Sequence, residues 1–342
     1  MGKDGTQDGT YIYQVDAFTQ EVFGGNPAGV VPDAHGLSDD FMQKIAREMN
    51  LSETAFVFDL RDCQGRGQRG LENESRARPD FEVRFFTPKS EVDLCGHATI
   101  ATFWLLCELG IIDAKEKAQE DNLTSTEKDV REVRVFQKTK AGILPVDLFF
   151  GPDGDISRVM MGQNLPFVAF TLDEAEIKEL ERILGAPKHC VLGFGRSRPQ
   201  AVSTGLLDLI VPVSSRDALF SLDPDMSSLA RYCTQRGVTS VHCFTTDVFE
   251  PESTVHCRDF APSVGIPEES ATGTASGATA AYLVLNSLVK TEGPVVRVVC
   301  EQGYTMGRPS SIYAEIGIDG NEIVSVKVGG AAVTVIEGIM RI

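Results

Sequence analysis

The feature that most narrows the fold is that the chain repeats itself at long range. Arg84-Phe-Phe-Thr-Pro88 returns as Arg258-Asp-Phe-Ala-Pro262, and Cys95-Gly96-His97 returns as Thr272-Gly273-Thr274, at spacings of 174 (258 less 84) and 177 (272 less 95). Further upstream, Met42 to Phe58 matches Leu229 to Phe244, which sets Leu51-Ser52-Glu53 against Val238-Thr239-Ser240. Solenoid repeats run at only about 20 to 50 residues. Three matches in one order at far longer spacing predict two similar domains facing each other. A length of 342 residues, more than one core usually organises, agrees with that.

Local patterns supply the elements. Tyr11 to Val15 is strand-like, Gly24-Gly25-Asn26-Pro27 is a turn cluster, and Ala28 to Val31 resumes an apolar run, so a hairpin opens the chain. Ser38 or Asp39 caps a helix through Phe41, Ile45, Ala46 and Met49 that stops at Asn50, and Glu53 then leads into a strand ending near Phe58. Phe81 to Pro88 alternates and halts at proline, after which Cys95-Gly96-His97 opens a helix from about Ala98 to Leu109. In the second half, Val255 to Pro262 is again a strand closing on proline, and Thr272-Gly273-Thr274 opens a helix of small residues, Ala275 to Leu288. Residues 61–80 and 113–130 are polar excursions without period. The closing strand pattern from Ile323 to Ile342 is expected to return to the first domain. The expected division is 1–125 plus 325–342 for the N-terminal domain and 131–324 for the C-terminal one, with the active site in the cleft between them.

Composition excludes several classes of function. A net charge of −17 disfavours nucleic acid and anionic membranes as partners, since both select basic patches. No apolar run approaches the roughly 20 residues of a membrane span, and the first ten residues carry no targeting pattern, so a cytoplasmic protein is expected. Eight scattered cysteines without CxxC pairs predict free thiols. His242-Cys243 and His256-Cys257 lie in strand-like runs, where adjacent side chains point to opposite faces, so no metal site is expected there. Gly193-Phe-Gly195-Arg196 fits neither nucleotide-binding glycine pattern, and no serine-nucleophile elbow is present.

The negative charge leaves room for a small anion. Glycine before a helix allows a sharp turn and leaves the first N–H groups unpaired, so Gly96 and Gly273 each mark a candidate carboxylate site. Glu53 enters an apolar strand beside Ser52 and Thr54, while its duplicate position is Ser240; this asymmetry singles out Glu53 for proton transfer against the alternative of an ordinary surface glutamate. His97 is a candidate hydrogen-bond donor or relay, or a structural histidine. Cys95 reads either as a reactive thiol or as a small packing residue.

With these residues assembled, the chain resembles the PhzF-like family, the phenazine-biosynthesis isomerases and relatives with the diaminopimelate epimerase fold. The resemblance rests on Asp16-Ala-Phe-Thr with Gly25-Asn26-Pro27, on Met42 through Asn50-Leu-Ser-Glu53-Thr, on Cys95-Gly-His-Ala-Thr99 and on Ala271-Thr-Gly-Thr274. Gln302-Gly303, Gly307-Arg-Pro-Ser310 and Val328-Gly-Gly330 extend it to the tail. It implies an α/β chain of two pseudo-symmetric domains, each a curled sheet around a central helix, often dimeric, and it implies no cofactor. It also implies a proton-shifting isomerase acting on a small carboxylate-bearing substrate. Glu53 would be the acid/base with His97 beside it, and Ser52, Gly96, Ser270, Gly273 and Thr274 would hold the substrate. The family's Glu-Asp-x-Ala-Thr-Gly-Ser pattern is set against Glu269-Ser270-Ala271-Thr272-Gly273-Thr274, so Ser270 stands where an acid is expected. Two-base thiol racemisation is disfavoured, because Cys95 is matched by Thr272. A Cys95/Thr272 pairing of the kind hydroxyproline dehydratases display is the first alternative, and a binding protein that has lost catalysis is the second.

Overall fold

The computed structural model describes residues 9–61, 78–113, 131–191, 198–320 and 322–341, so most of the two polar excursions and the Gly193–Arg196 stretch lie outside the described residues. The chain forms two compact units, residues 1–23, 27–161 and 331–342 in one and residues 24–26 and 162–330 in the other. The passage back to the first unit falls at residue 331, between two closing strands.

In the first unit, β1 (Thr10–Ala17) pairs with β2 (Asn26–Val31), and β2 runs parallel to β3 (Thr54–Asp59) through Gly29 opposite Thr54. Between them lies α1 (Asp39–Met49). Ser38 caps it by accepting from the Phe41 N–H, and Asn50 ends it in a left-handed conformation, φ 51°. Its apolar stripe, Met42, Ile45 and Ala46, packs on Ile12, Val31, Phe56 and Phe86. The sheet continues through antiparallel β4 (Phe81–Phe86) and short β5 (Glu91–Val92), then β6 (Arg131–Thr139), β7 (Gly142–Phe150) and β8 (Ile156–Gln163). The helix α2 (Gly96–Glu108) packs against β1 and β3 and is buried almost all round, from His97 to Leu106. A helix without a polar face belongs at the centre of a layer of strands, and that is where it lies.

The second unit repeats this order. It opens with β9 (Phe167–Thr171), α3 (Glu174–Ile183), β10 (Gln200–Ser203), β11 (Leu207–Pro212) and the short α4 (Arg216–Phe220). Then α5 (Met226–Arg236) leads to β12 (Ser240–Thr245), parallel to β11, with antiparallel β13 (Val255–Ala261) and short β14 (Ile266–Glu269) beyond. The central helix α6 (Gly273–Leu285) has 13 residues, as α2 has, and packs against β10, β11, β16 (Ser310–Asp319) and β17 (Glu322–Gly330). Between α6 and β16 runs β15 (Val295–Gln302), parallel to β13 as β6 is to β4. The last strand, β18 (Ala332–Met340), pairs antiparallel with β1.

The duplication is therefore one of topology as well as sequence, and backbone register fixes its alignment. Arg84 lies opposite Phe56, and Arg258 lies opposite Cys243. Asn50 and Gly237 are the left-handed stops of α1 and α5. Both comparisons give a spacing of 187 (243 less 56, 237 less 50), which places Ser240 at the position of Glu53.

Candidate active site

Five of the residues singled out in the first unit converge at the start of α2. Glu53 sits one residue before β3, held by its own carbonyl, which accepts from the Gly29 N–H at 3.0 Å. Its carboxylate lies 3.4 Å from His97 Nε2, and Ser52 Oγ lies 3.3 Å from the same nitrogen. Cys95 Sγ lies against the same ring, 3.4 Å from His97 Nδ1 and 4.0 Å from Nε2. His97 is 7% exposed and Glu53 18%, so a partly open carboxylate stands against a buried ring. Burial pushes the His97 imidazole below its ordinary value against the opposing pull of Glu53, so the ring is neutral at pH 7.

The helix starts themselves carry a signal. The Ser38, Asp173, Ser215 and Asp225 side chains cap α1, α3, α4 and α5. By contrast, α2 and α6 begin at Cys95 and Thr272 with no side-chain cap and no acidic residue in the first turn. Their first N–H groups are thus left for another acceptor. The two starts are also built alike: Thr99 Oγ1 donates to the Cys95 carbonyl and Ser276 Oγ to the Thr272 carbonyl, each at 2.8 Å. A sharp left-handed turn is not the reason for the glycines, since neither Gly96 nor Gly273 has positive φ. A Cβ on Gly96 would meet only Met161 Sδ, at 3.7 Å. Neither conformation nor crowding requires glycine there, and its consequence is an amide a ligand can approach.

In the second unit Ser270 is buried and its hydroxyl donates to the Gly25 carbonyl at 2.8 Å. The assignment of Ser270 to the position of the missing acid is corrected by counting back from Ala271. The pattern has one residue between the acid and alanine; that residue is Ser270, and the acid position belongs to Glu269. The structure shows Glu269 engaged at the helix start, with Oε2 3.1 Å from Thr272 Oγ1 and Oε1 accepting from Asn26 Nδ2 at 3.0 Å. Thr274 and Gly273 follow in the first turn, where the Thr274 carbonyl accepts from Thr204 Oγ1.

Behind Thr272 lies a polar group that the sequence reading missed. Asp259 accepts from Ser240 Oγ at 2.7 Å, contacts His242 Nδ1 at 3.0 Å and lies 3.2 Å from Thr272 Oγ1. Ser240 Oγ is also 3.0 Å from Asp208 Oδ1. Asp208 is fully enclosed, and burial, with Asp259 nearby, pushes it up to about 8. Its duplicate position is Ala28, and that of Asp259 is Phe85, so an acid in an otherwise apolar repeat was the available signal.

Among the described residues, Glu53, Cys95 and His97 form a group able to hold a metal ion, their donor atoms all within 4.8 Å. The two His-Cys dipeptides are otherwise occupied: His242 faces Asp259, and His256 Nδ1 lies 2.7 Å from Glu301 Oε1 under the rings of Phe220, Phe249 and Tyr304. The seven described cysteines are thiols outside any disulfide, and among the described residues no helix is long and apolar enough to cross a membrane.

Comparison with known proteins agrees with this architecture. A protein of Clostridium acetobutylicum described as an uncharacterized isomerase is 36% identical over 324 residues, covering 95% of each chain. The crystal structure of a PhzF-family phenazine biosynthesis protein from Bacillus anthracis superposes with a TM-score of 0.78 at 26% identity, covering 97% of this chain and 99% of that one. A hydroxyproline epimerase from Agrobacterium vitis shares the fold, with a TM-score of 0.54 at 13% identity over 98% of this chain and 91% of its own. The family model described as phenazine biosynthesis-like protein matches residues 15–338, and the chain belongs to that family.

Proposed function

We propose that this chain, an isomerase by family, shifts a proton along a small, conjugated, carboxylate-bearing substrate with Glu53 as the shuttling base. The observation that carries this reading is the Glu53 carboxylate beside a buried, neutral His97 at an uncapped helix start. The substrate carboxylate accepts from the free N–H groups at Gly96, where the helix dipole favours negative charge. Glu53 takes a proton from carbon, the electron pair spreads over the conjugated system toward the held carboxylate, and the amides there stabilise the developing charge. Glu53 then returns the proton to a different carbon, moving a double bond and regaining its charge. His97 and Ser52 hold Glu53 in place through the buried ring. The amides at Gly273 are a second candidate holder, on the strength of their equivalence to Gly96.

A second reading rests on the 3.4 Å contact between Cys95 Sγ and His97. A thiol beside an imidazole is a competent base, and water elimination from a hydroxylated amino acid would use it. The reading of an inactive binding protein leaned on a missing acid at residue 270, and Glu269 removes that support. Incubating the protein in heavy water with a panel of small unsaturated and hydroxylated carboxylic acids, followed by NMR, separates the two enzymes. Deuterium incorporation with a moved double bond that survives Cys95→Ser supports the isomerase. Loss of water that vanishes in Cys95→Ser supports the dehydratase.

A further inference from the structure

We propose that Asp259 is the ionised hub of a proton-sharing array in the second unit, whose outer carboxyls, Asp208 and Glu269, each hold a proton at neutral pH. The case is one of counting hydrogens. A serine or threonine hydroxyl has one proton to give and two lone pairs to fill. Ser240 Oγ lies within hydrogen-bond distance of two carboxyls, Asp208 at 3.0 Å and Asp259 at 2.7 Å. Thr272 Oγ1 lies between two more, Asp259 at 3.2 Å and Glu269 at 3.1 Å, and already accepts from Gln302 Nε2 at 3.1 Å. Each hydroxyl can donate to one carboxylate only, so its other carboxyl neighbour must be the donor.

One arrangement satisfies both. Ser240 and Thr272 each give their proton to Asp259, which also accepts from His242 Nδ1–H. Asp208 then donates to Ser240, and Glu269 donates from Oε2 to Thr272. Glu269 is already dressed as an acid: its Oε1 accepts from Asn26 Nδ2 while Oε2 faces the hydroxyl. At the far end Asp208 Oδ2 is buried without a partner, which suits a neutral carbonyl oxygen far better than a charged one. Burial and the neighbouring Asp259 raise Asp208 to about 8, in the same sense. The residues come from four adjacent strands and the start of α6, with Asp208 opposite Ser240, and Asp259 opposite both His242 and Glu269. The Cys233 thiol lies within electrostatic reach of Asp208 and Asp259, and Cys257 of Asp259; burial raises both thiols, so they add no charge at pH 7.

The array explains why a carboxyl at the start of α6 would stand ready as an acid and not a base. When Glu269 releases its proton, the Thr272 O–H can turn from Asp259 to the new carboxylate. One hydroxyl rotation thus converts one state into the other, and no atom carries more than its share. Asp208, Ser240, His242 and Asp259 are positioning residues that set the protonation of Glu269. A catalytic use for that proton rests on the proposed isomerase reading; the array itself does not.

Infrared difference spectroscopy of the intact protein at pH 7 reads the array without any substrate. The expected wild-type spectrum contains two buried carboxylic-acid C=O stretches, one lost in Asp208→Asn and the other in Glu269→Gln. Asp259→Asn removes the hub, so Thr272 turns to Glu269 and the Glu269 band disappears; Thr272→Val also removes it, and Thr272→Ser keeps it. A spectrum unchanged by Glu269→Gln, or a Glu269 band indifferent to both Asp259→Asn and Thr272→Val, overturns the proposal. Proton exchange by Glu53 in heavy water is scored separately, so either result can fail alone.

Discussion

The two halves of this chain share strand order, helix lengths and helix starts, yet place their polar groups in opposite ways. In the first half a carboxylate and a neutral histidine stand at the helix start, and the positions behind them, Ala28, Ala55 and Phe85, are apolar and buried. In the second half the position of Glu53 is a serine, while those same backing positions are Asp208, His242 and Asp259. The architecture thus keeps two uncapped helix starts and places a partly exposed carboxylate at one of them. The lesson is that duplication preserves backbone donors, which come from helix geometry, more readily than side-chain chemistry, which one substitution can change.

The comparison can be broken at several points. Giving α2 the cap it lacks, by Cys95→Asp, fills its amides with an internal carboxylate. The expected result is carboxylate binding weakened by about ten- to thirtyfold, or roughly 1.4 to 2 kcal/mol, in a titration, while the melting temperature stays level or rises. A variant that binds as tightly as the parent would remove the anion site. Asp208 should leave its mark on stability against pH. Its folded value of about 8 stands above its ordinary 3.8, so between those limits the folded chain holds a proton that the unfolded chain has released. Stability from this group is complete below the lower value and is lost as pH rises toward the upper one, by up to about 1.4 kcal/mol per pH unit. Urea titrations from pH 5 to pH 8 should show that slope flattened in Asp208→Asn; an equal slope would mean that Asp208 is ionised throughout. The smallest effect is expected at the capped helices: Asp225→Ala should cost about 1 kcal/mol of stability and leave carboxylate binding unchanged.

Much of the frame was legible because duplication, turns and caps are local signals. Ser38, Asn50 and the Arg84/Arg258 match located the helix, its stop and the register of both halves. The grouping of Ser52, Glu53, Cys95 and His97 was legible through the duplicated motifs and the family resemblance together, since a lone glutamate or histidine has no distinguishing pattern. The acid array escaped because it is assembled across neighbouring strands, and residues as distant as Asp208 and Asp259 meet only through sheet register. Glu269 stands in a motif of small residues where the count alone decides the acid position, since one residue, Ser270, separates it from Ala271; its contacts with Thr272 and Asn26 show how that side chain is held.

The most direct measurement is solvent-proton exchange into a carboxylate substrate in heavy water, comparing the parent with Glu53→Gln. The side chain keeps its shape and loses its basicity, so the fold and the binding of the carboxylate should persist while exchange falls by about 10² to 10⁴. Exchange at the parental rate in a folded Glu53→Gln protein would contradict the account and move the base elsewhere in the chain.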